Sequence, residues 1–449
     1  MAAEMDAVPE NILQPFFASA NSSSIDKLLE NYIALARTSD GRSDLASADM
    51  LTATLQLCQS LSCPAYGDTL LLALKLIRNL CAGEPRNQNS FIEQNGVDIV
   101  SDIISSNELV KDSNYGIIRM GLQVLANVSL AGEEHQIVIW NRIYSLEFVE
   151  IAKVRRKETC DPLCMIIYAC IEENHKLLDQ LCSDHALPLL VEIVHTALAV
   201  GFGEDWLRLI LTKTCIEESY FTPLFSKLLH ENGDSSFSQM QTCTQAQSFL
   251  LSILSEMINE QIEHITLSKV FTIDVFKILE TTLGVLNCAS RPKSGLPTSS
   301  PDINVLGYSL CIFRDICAFE GNVDIIGSLL SLGLIQLLLD FLNDLEPPAI
   351  IRKTLKNAEN QDSATYLDTG QKWDSLMLQQ CVTDDENPFL REWGIWGVRN
   401  LLEGNLENQK VVSELEVQGS VDLPELTTLG LRVDVDQQTR RAKLVNTTS

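Results

Sequence analysis

Side chains able to grip a peptide recur in this chain at a fixed interval. Arg78-Asn79-Leu80 and Arg399-Asn400-Leu401 each lie near the end of an apolar stretch, and an Asn-Gln pair begins eight residues after each Asn, at Asn87-Gln88 and Asn408-Gln409. A primary amide is both donor and acceptor, so an asparagine can hold an extended peptide's backbone whatever its sequence. Gln123-Val124-Leu125-Ala126-Asn127-Val128 repeats the pattern, with His135-Gln136 eight residues after Asn127; Asp315 and, by spacing, Asn357 extend the row. Two roles fit such a ladder: gripping a partner's main chain, or bonding a neighbouring repeat's backbone to hold a stack. The residues that best suit protein contact are Asn79, Asn127, Trp396, Arg399 and Asn400. Trp396 stands one helical turn before Asn400, on the same face.

Other chemistry finds little support. Cys160, Cys164, Cys170, His175, Cys182 and His185 contain metal-ligating types, but no Cys-x-x-Cys pair and no familiar ligand spacing. Buried thiols explain them better. Gly201-Phe202-Gly203 lacks the full glycine pattern and the following Lys-Ser/Thr of a phosphate loop, and no Gly-x-Ser-x-Gly elbow occurs. Histidines and carboxylates are scattered without a paired constellation. These observations imply no cofactor, no metal and no catalytic site.

The elements that must carry the ladder are helices. Leu70, Leu71, Leu72, Leu74, Leu76, Ile77 and Leu80 make one helix apolar nearly all round, as expected of a helix packed between neighbours. Lys75, Arg78 and Asn79 interrupt it at i, i+3 and i+4, one narrow polar stripe. Gly83-Glu84-Pro85 should stop it, a second helix should start near Asn87 and end at Asn95-Gly96, and a third apolar run covers Val97 to Ile104. A unit of this kind buries its apolar faces only against copies of itself. From 79 to 127 is 48 residues, and weaker echoes fall near Cys170, Lys213 and Glu256, 43 apart. A period of about 40–47 residues belongs to armadillo and HEAT arrays. The fold expected is therefore all-α, a right-handed armadillo/HEAT-like solenoid of roughly seven or eight repeats.

Composition agrees. Apolar residues make up 45% of 449, enough for an extended core. A net charge of −27 disfavours nucleic acid and anionic membranes as main partners. It leaves proteins as the expected partners, and it suits either plain solubility or a groove that attracts basic peptides; self-association into a homo-oligomer stays open. The 13 cysteines sit in apolar helices rather than in a disulfide framework. The acidic start MAAEMDAVPE lacks a signal-peptide pattern, and Ile325–Leu342 reads as two helices meeting at Gly333 rather than as a membrane span. The cytosol is the expected location, with a nuclear pool compatible.

Along the chain, residues 1–24 read as a flexible leader, 25–66 as capping helices and 67–289 as repeats. Asp40 to Asp44 reads as a linking loop within the capping region. A Pro- and Ser-rich surface loop spans 290–303, and a repeat follows over 304–342. Residues 343–375, with Pro347-Pro348 and a polar run, read as a degenerate unit; 376–419 form the last repeat and 420–449 a tail. In the tail Leu431, Val433 and Val435 alternate with polar residues before Ala442, Leu444 and Val445, which suits a small hairpin.

The stretch DDENPFLREWGIWGVRNLLEGNLENQ, Asp384 to Gln409, closely resembles the C-terminal signature of the ataxin-10 family. It carries an acidic run, Asn387-Pro388-Phe389, Arg391, Glu392-Trp393 and Arg399-Asn400-Leu401. The resemblance is tight over the last quarter and loose elsewhere. It implies an armadillo-like, non-enzymatic cytoplasmic protein, in a family implicated in cell division, cell survival and development through protein partners. Residues 357–372 stand where that family carries a well-formed repeat, a departure from its pattern. The Trp396–Asn400 pair also resembles the peptide grip of importin-α proteins. Yet Lys75 and Gln123 occupy the Trp position before Asn79 and Asn127, and the first 50 residues hold only Lys27, Arg37 and Arg42 as basic residues. Core packing is the plainer role for Trp393 and Trp396, since Gly394 and Gly397 allow a helix close approach.

Overall fold

A computed structural model describes residues 14, 16, 24–61, 66–106, 115–201, 205–229, 243–285, 296–344, 381, 388–406, 409–410, 431–435 and 442–446. The chain divides into two compact units, Met1–Leu286 with Leu296–Leu332, and Asn287–Gly295 with Gly333–Ser449. The interval 345–380, which includes Asn357 and nearly all of the expected degenerate unit, lies outside the described residues.

The first unit is a stack of helices. In chain order these are α1 (Ile25–Leu35), α2 (Ser39–Ser47), α3 (Met50–Ser60), α4 (Gly67–Leu80), α5 (Pro85–Glu93), α6 (Gly96–Ile104), α7 (Tyr115–Ser129), α8 (Glu133–Tyr144) and the short α9 (Val149–Ala152). They continue as α10 (Lys157–Ile171), α11 (His175–Leu181), α12 (Leu187–Val200), α13 (Asp205–Leu211, running on as a π-helical segment Thr212–Glu217), α14 (Phe221–Lys227), α15 (Gln245–Gln261), α16 (Lys269–Val285), α17 (Pro301–Ala318) and α18 (Val323–Ser331). Seven of them, α1, α4, α7, α10, α13, α15 and α17, pack each on the next. The helices that lie between them in sequence pack alongside this row. This is an all-α solenoid of armadillo type.

Local sequence accounts for the joints. Gly83 adopts φ +65° where α4 turns into α5, a conformation glycine enters without steric cost. Asn95 takes φ +57° between α5 and α6, the same left-handed corner filled by the non-glycine residue that tolerates it best. The core runs lengthwise: Leu74, Leu76, Ile77 and Leu80 of α4, Leu122, Val124, Leu125 and Val128 of α7, and Leu163, Ile166 and Ile167 of α10 are all fully buried. Each such side chain contributes about 1.5–3 kcal/mol by leaving water, so neighbouring helices hold one another.

Two boundaries differ from the sequence expectation. The expected loop over Asp40 to Asp44 is the helix α2. Thr38 caps it, its hydroxyl accepting from the Gly41 amide at 3.1 Å, and a good cap outweighs a turn-like composition in a short helix. The expected surface loop to 303 ends earlier, because α17 begins at Pro301. Ser300 is its N-cap, accepting from the Ile303 amide at 3.4 Å, and proline is favoured in the first helical position.

In the second unit the described elements are α19 (Leu334–Asp344), α20 (Pro388–Leu402) and two strands. The strands, β1 (Leu431–Val435) and β2 (Ala442–Asn446), form an antiparallel hairpin with Leu431 opposite Asn446 and Val435 opposite Ala442. The apolar run around Gly333 is broken at that glycine, which has φ +90°. Among the described residues no single helix is long and apolar enough to cross a membrane.

Candidate functional site

The asparagine ladder has a definite geometry. Asn127 of α7 donates its side-chain amide to the main-chain carbonyl of Arg78 on α4, at 2.9 Å. Asn79 of α4 does the same to Ile33 of α1, at 3.2 Å. Each of these two asparagines thus bonds the helix one step back in the stack. The Asn-Gln pair of α5 completes the device. Asn87 donates to the Leu80 carbonyl at 2.8 Å, satisfying an end group that α4 cannot pair internally. Gln88 reaches forward and donates to the Asn127 carbonyl at 3.0 Å. The eight-residue spacing therefore ties one repeat to the next in both directions. Further along, Asn322 repeats the part of Asn87, donating to the Ile316 carbonyl at 3.4 Å. In the second unit Gln409 donates to the Leu402 carbonyl at 2.7 Å.

Asn79 and Asn127 remain half-buried, not enclosed. Asn79 Oδ1 accepts from Nε and Nη2 of Arg78 at 3.2 and 2.8 Å. The same neighbouring pair recurs at Arg314 and Asp315, where the carboxylate accepts at 2.7 and 2.9 Å and raises the arginine pKa. Asp315 also accepts from Asn259 on α15 at 3.3 Å, so this ladder position links helices through its side chain. Of the weaker echoes, the Cys170 thiol lies 3.7 Å from the Gln136 carbonyl.

Beside Asn127 the first unit has a pocket of about 740 Å³. Arg78 comes from the end of α4, Arg119, Gln123 and Asn127 lie one turn apart along α7, and Lys157, Glu158 and Asp161 come from the start of α10. Gln123 Oε1 accepts from Arg78 Nη1 at 3.1 Å. Burial, with Arg119 and Arg37 nearby, pulls the Arg78 guanidinium pKa down. Sequence reasoning passed over Arg119, Gln123 and Lys157. The signal was the spacing Arg119-Gln123-Asn127, one stripe on one helix face.

The other candidate residues lie on α20 in the second unit. Gly394 and Val398 are buried, while Ile395, Trp396, Arg399 and Asn400 face out. Trp396 is 50% exposed, which overturns the core-packing role expected for it. Gly394 and Val398, four residues apart, turn inward on a face that does not include it. The Arg399 guanidinium carbon lies 5.0 Å from the Trp396 ring centroid, a cation–π pair. Nothing is described of the Trp393 side chain. Among the described residues no group of three or more His, Cys, Asp or Glu converges as a metal site. His185, one of the metal-type residues, instead bonds the Tyr144 carbonyl at 2.8 Å.

Residues 350–445 match the model of the spinocerebellar ataxia type 10 protein domain, the stretch that holds Trp396, Arg399 and Asn400. Ataxin-10 of Bos taurus is 24% identical over 396 residues, covering 80% of this chain and 78% of that one. The human protein is 23% identical over 416 residues, covering 83% and 82%. The chain is thus similar to ataxin-10 proteins, tightly in its C-terminal domain and loosely along most of its length. Similarity is densest in short segments: the Dictyostelium discoideum ataxin-10 homolog is 38% identical over 82 residues, 18% of this chain and 13% of that one. Among solved structures, a designed armadillo repeat protein is 16% identical and covers 54% of this chain and 97% of its own, with a TM-score of 0.35. That overlay is loose; the solenoid is read from the chain's own helix row.

Proposed function

We propose that this chain is a non-enzymatic armadillo-type scaffold that holds partner proteins, in the cytosol, in the service of cell division, survival or development. The single observation that carries the reading is the outward face of α20, where a half-exposed Trp396 is flanked by Arg399 and Asn400. Tryptophan and arginine are the side chains most enriched among residues that dominate protein–protein binding. An exposed tryptophan with a guanidinium over its ring offers a large contact area and has few rotatable bonds to fix on docking. The face lies within the part of the chain that matches the family's domain. The half-buried amides of the first unit offer a second region of contact.

A second reading, an importin-α-like adaptor for basic peptides, has the net charge of −27 in its favour. Against it stand Arg37, Arg78 and Arg119, which cluster where the ladder runs and would repel a lysine-rich segment. Affinity capture from cell extract, with the full chain and a Trp396→Ala/Asn400→Ala variant as baits, tests the scaffold reading. Proteins retained by the first and lost from the second support it; identical profiles reject this face as the contact surface.

A further inference from the structure

The pocket on α7 and α10 holds arginines that lack the ion pairs formed by several other arginines of the molecule. Arg142 is held by Asp98, Asp102 and Glu147, Arg155 by Glu192, Arg208 by Glu256 and Glu260, and Arg314 by Asp315. Arg78 and Arg119 have no carboxylate within ion-pair reach among the described residues. The Arg78 guanidinium is bonded instead to two neutral amides, Asn79 and Gln123, although it is half-buried beside other arginines. With 60 acidic side chains for 33 basic ones, carboxylates are not scarce in this chain. Like charges brought close and not directly ion-paired raise one another's energy, and the free energy returns when an anion bridges them.

We propose that this pocket binds an acidic, extended segment of a partner protein, seating a glutamate or aspartate carboxylate between Arg78 and Arg119, with Gln123 and Asn127 beside its main chain. Arginine's planar fork matches a carboxylate in two parallel hydrogen bonds. Gln123 spends its carbonyl on Arg78 and keeps its NH2 group as a donor for a peptide carbonyl. Asn127 spends its NH2 on the Arg78 carbonyl and keeps its own carbonyl as an acceptor. Together they complement both polar groups of a peptide unit. Glu158 and Asp161 on the α10 edge, next to Lys157, bound the site. They oppose a phosphate group, with its charge of about −1.5 to −2, more strongly than a single carboxylate. A volume of about 740 Å³ has room for a few residues of chain.

This assignment rests on the scaffold reading and gives the chemistry of its partner. The test is fluorescence anisotropy of the full chain with a labelled glutamate-rich peptide, a lysine-rich control, and inorganic phosphate as competitor. The glutamate peptide should bind at low salt and weaken as salt rises. Arg119→Glu, at an exposed position, should weaken it by about tenfold or more, while Arg119→Lys keeps most of the affinity. Absence of binding, equal binding of the lysine peptide, an Arg119→Glu protein that binds undiminished, or displacement by phosphate at the same concentration as by unlabelled peptide would each overturn the assignment. Partner capture through Trp396 and Asn400 is measured on the same wild-type protein. Capture without glutamate-peptide binding removes the pocket assignment alone; loss of capture as well removes the scaffold reading.

Discussion

Asn127 and Arg78 sit on successive helices of the stack, and the amide of one is bonded to the main-chain carbonyl of the other at 2.9 Å. The carbonyl lies in the last turn of α4, where intrahelical partners run out. Replacing Asn127 by alanine leaves it half-buried without that bond, a loss of about 1–2 kcal/mol. The same substitution should leave the fold unchanged, since Leu125 and Val128 keep the apolar contact. Urea unfolding followed by circular dichroism checks this: the midpoint falls and the slope stays. A midpoint unchanged within error would mean that the ladder does not hold the repeats together.

On α20 the opposite outcome is expected. Trp396 is half exposed and Asn400 lies on the surface, so Trp396→Ala with Asn400→Ala should alter stability by no more than about 0.5 kcal/mol. A melting curve that overlays the wild type, together with lost partner capture, separates contact from scaffolding. A large drop in melting temperature would reassign both residues to the framework.

Much of the stack could be read from the apolar pattern, because a helix buried on most sides must be apolar on most sides, as α4 is. Gly83 and Asn95 marked its corners for the same local reason. The work of the Asn-Gln pair was hidden, since its eight-residue interval says that two groups recur without saying which carbonyls they meet. Asn87 turns back to its own repeat while Gln88 reaches the next one, and one interval contains both. The Arg78–Arg119 pocket was hidden for another reason: its wall is assembled from α4, α7 and α10, and residues 41 apart in sequence become neighbours only through stacking. Core packing was expected for Trp396 because Gly394 and Gly397 allow a helix close approach, but the buried face is that of Gly394 and Val398 and does not include it.

Gly121 offers a test of how closely the repeats pack. A β-carbon there would run into the side chain of Ile104 on α6 and press on Val100 at 3.2 Å. Alanine is the better helix former by about 1 kcal/mol, so an isolated α7 would gain from Gly121→Ala. In the stack the clash should prevail, with a net loss of about 1–3 kcal/mol as α6 and α7 are forced apart. Chemical denaturation of the single variant decides the sign. A gain in stability would show that the two helices yield more readily than their contact suggests.

The buried thiols make stability fall in alkali. Burial pushes Cys58, Cys170 and Cys215 up to about 12 and Cys81 higher still, whereas an unfolded chain ionises its cysteines near pH 8.5, roughly. The folded state therefore keeps protons that the unfolded state gives up, and the difference favours unfolding as pH rises. Below about pH 8 the contribution is complete. Above about pH 9 each such thiol should remove up to roughly 1.4 kcal/mol per pH unit, until the folded form ionises too. Denaturant midpoints measured between neutral pH and pH 10 should fall steeply, and the fall should be shallower in a Cys58→Ala/Cys215→Ala protein. Equal slopes in the two proteins would assign the alkaline loss to other groups.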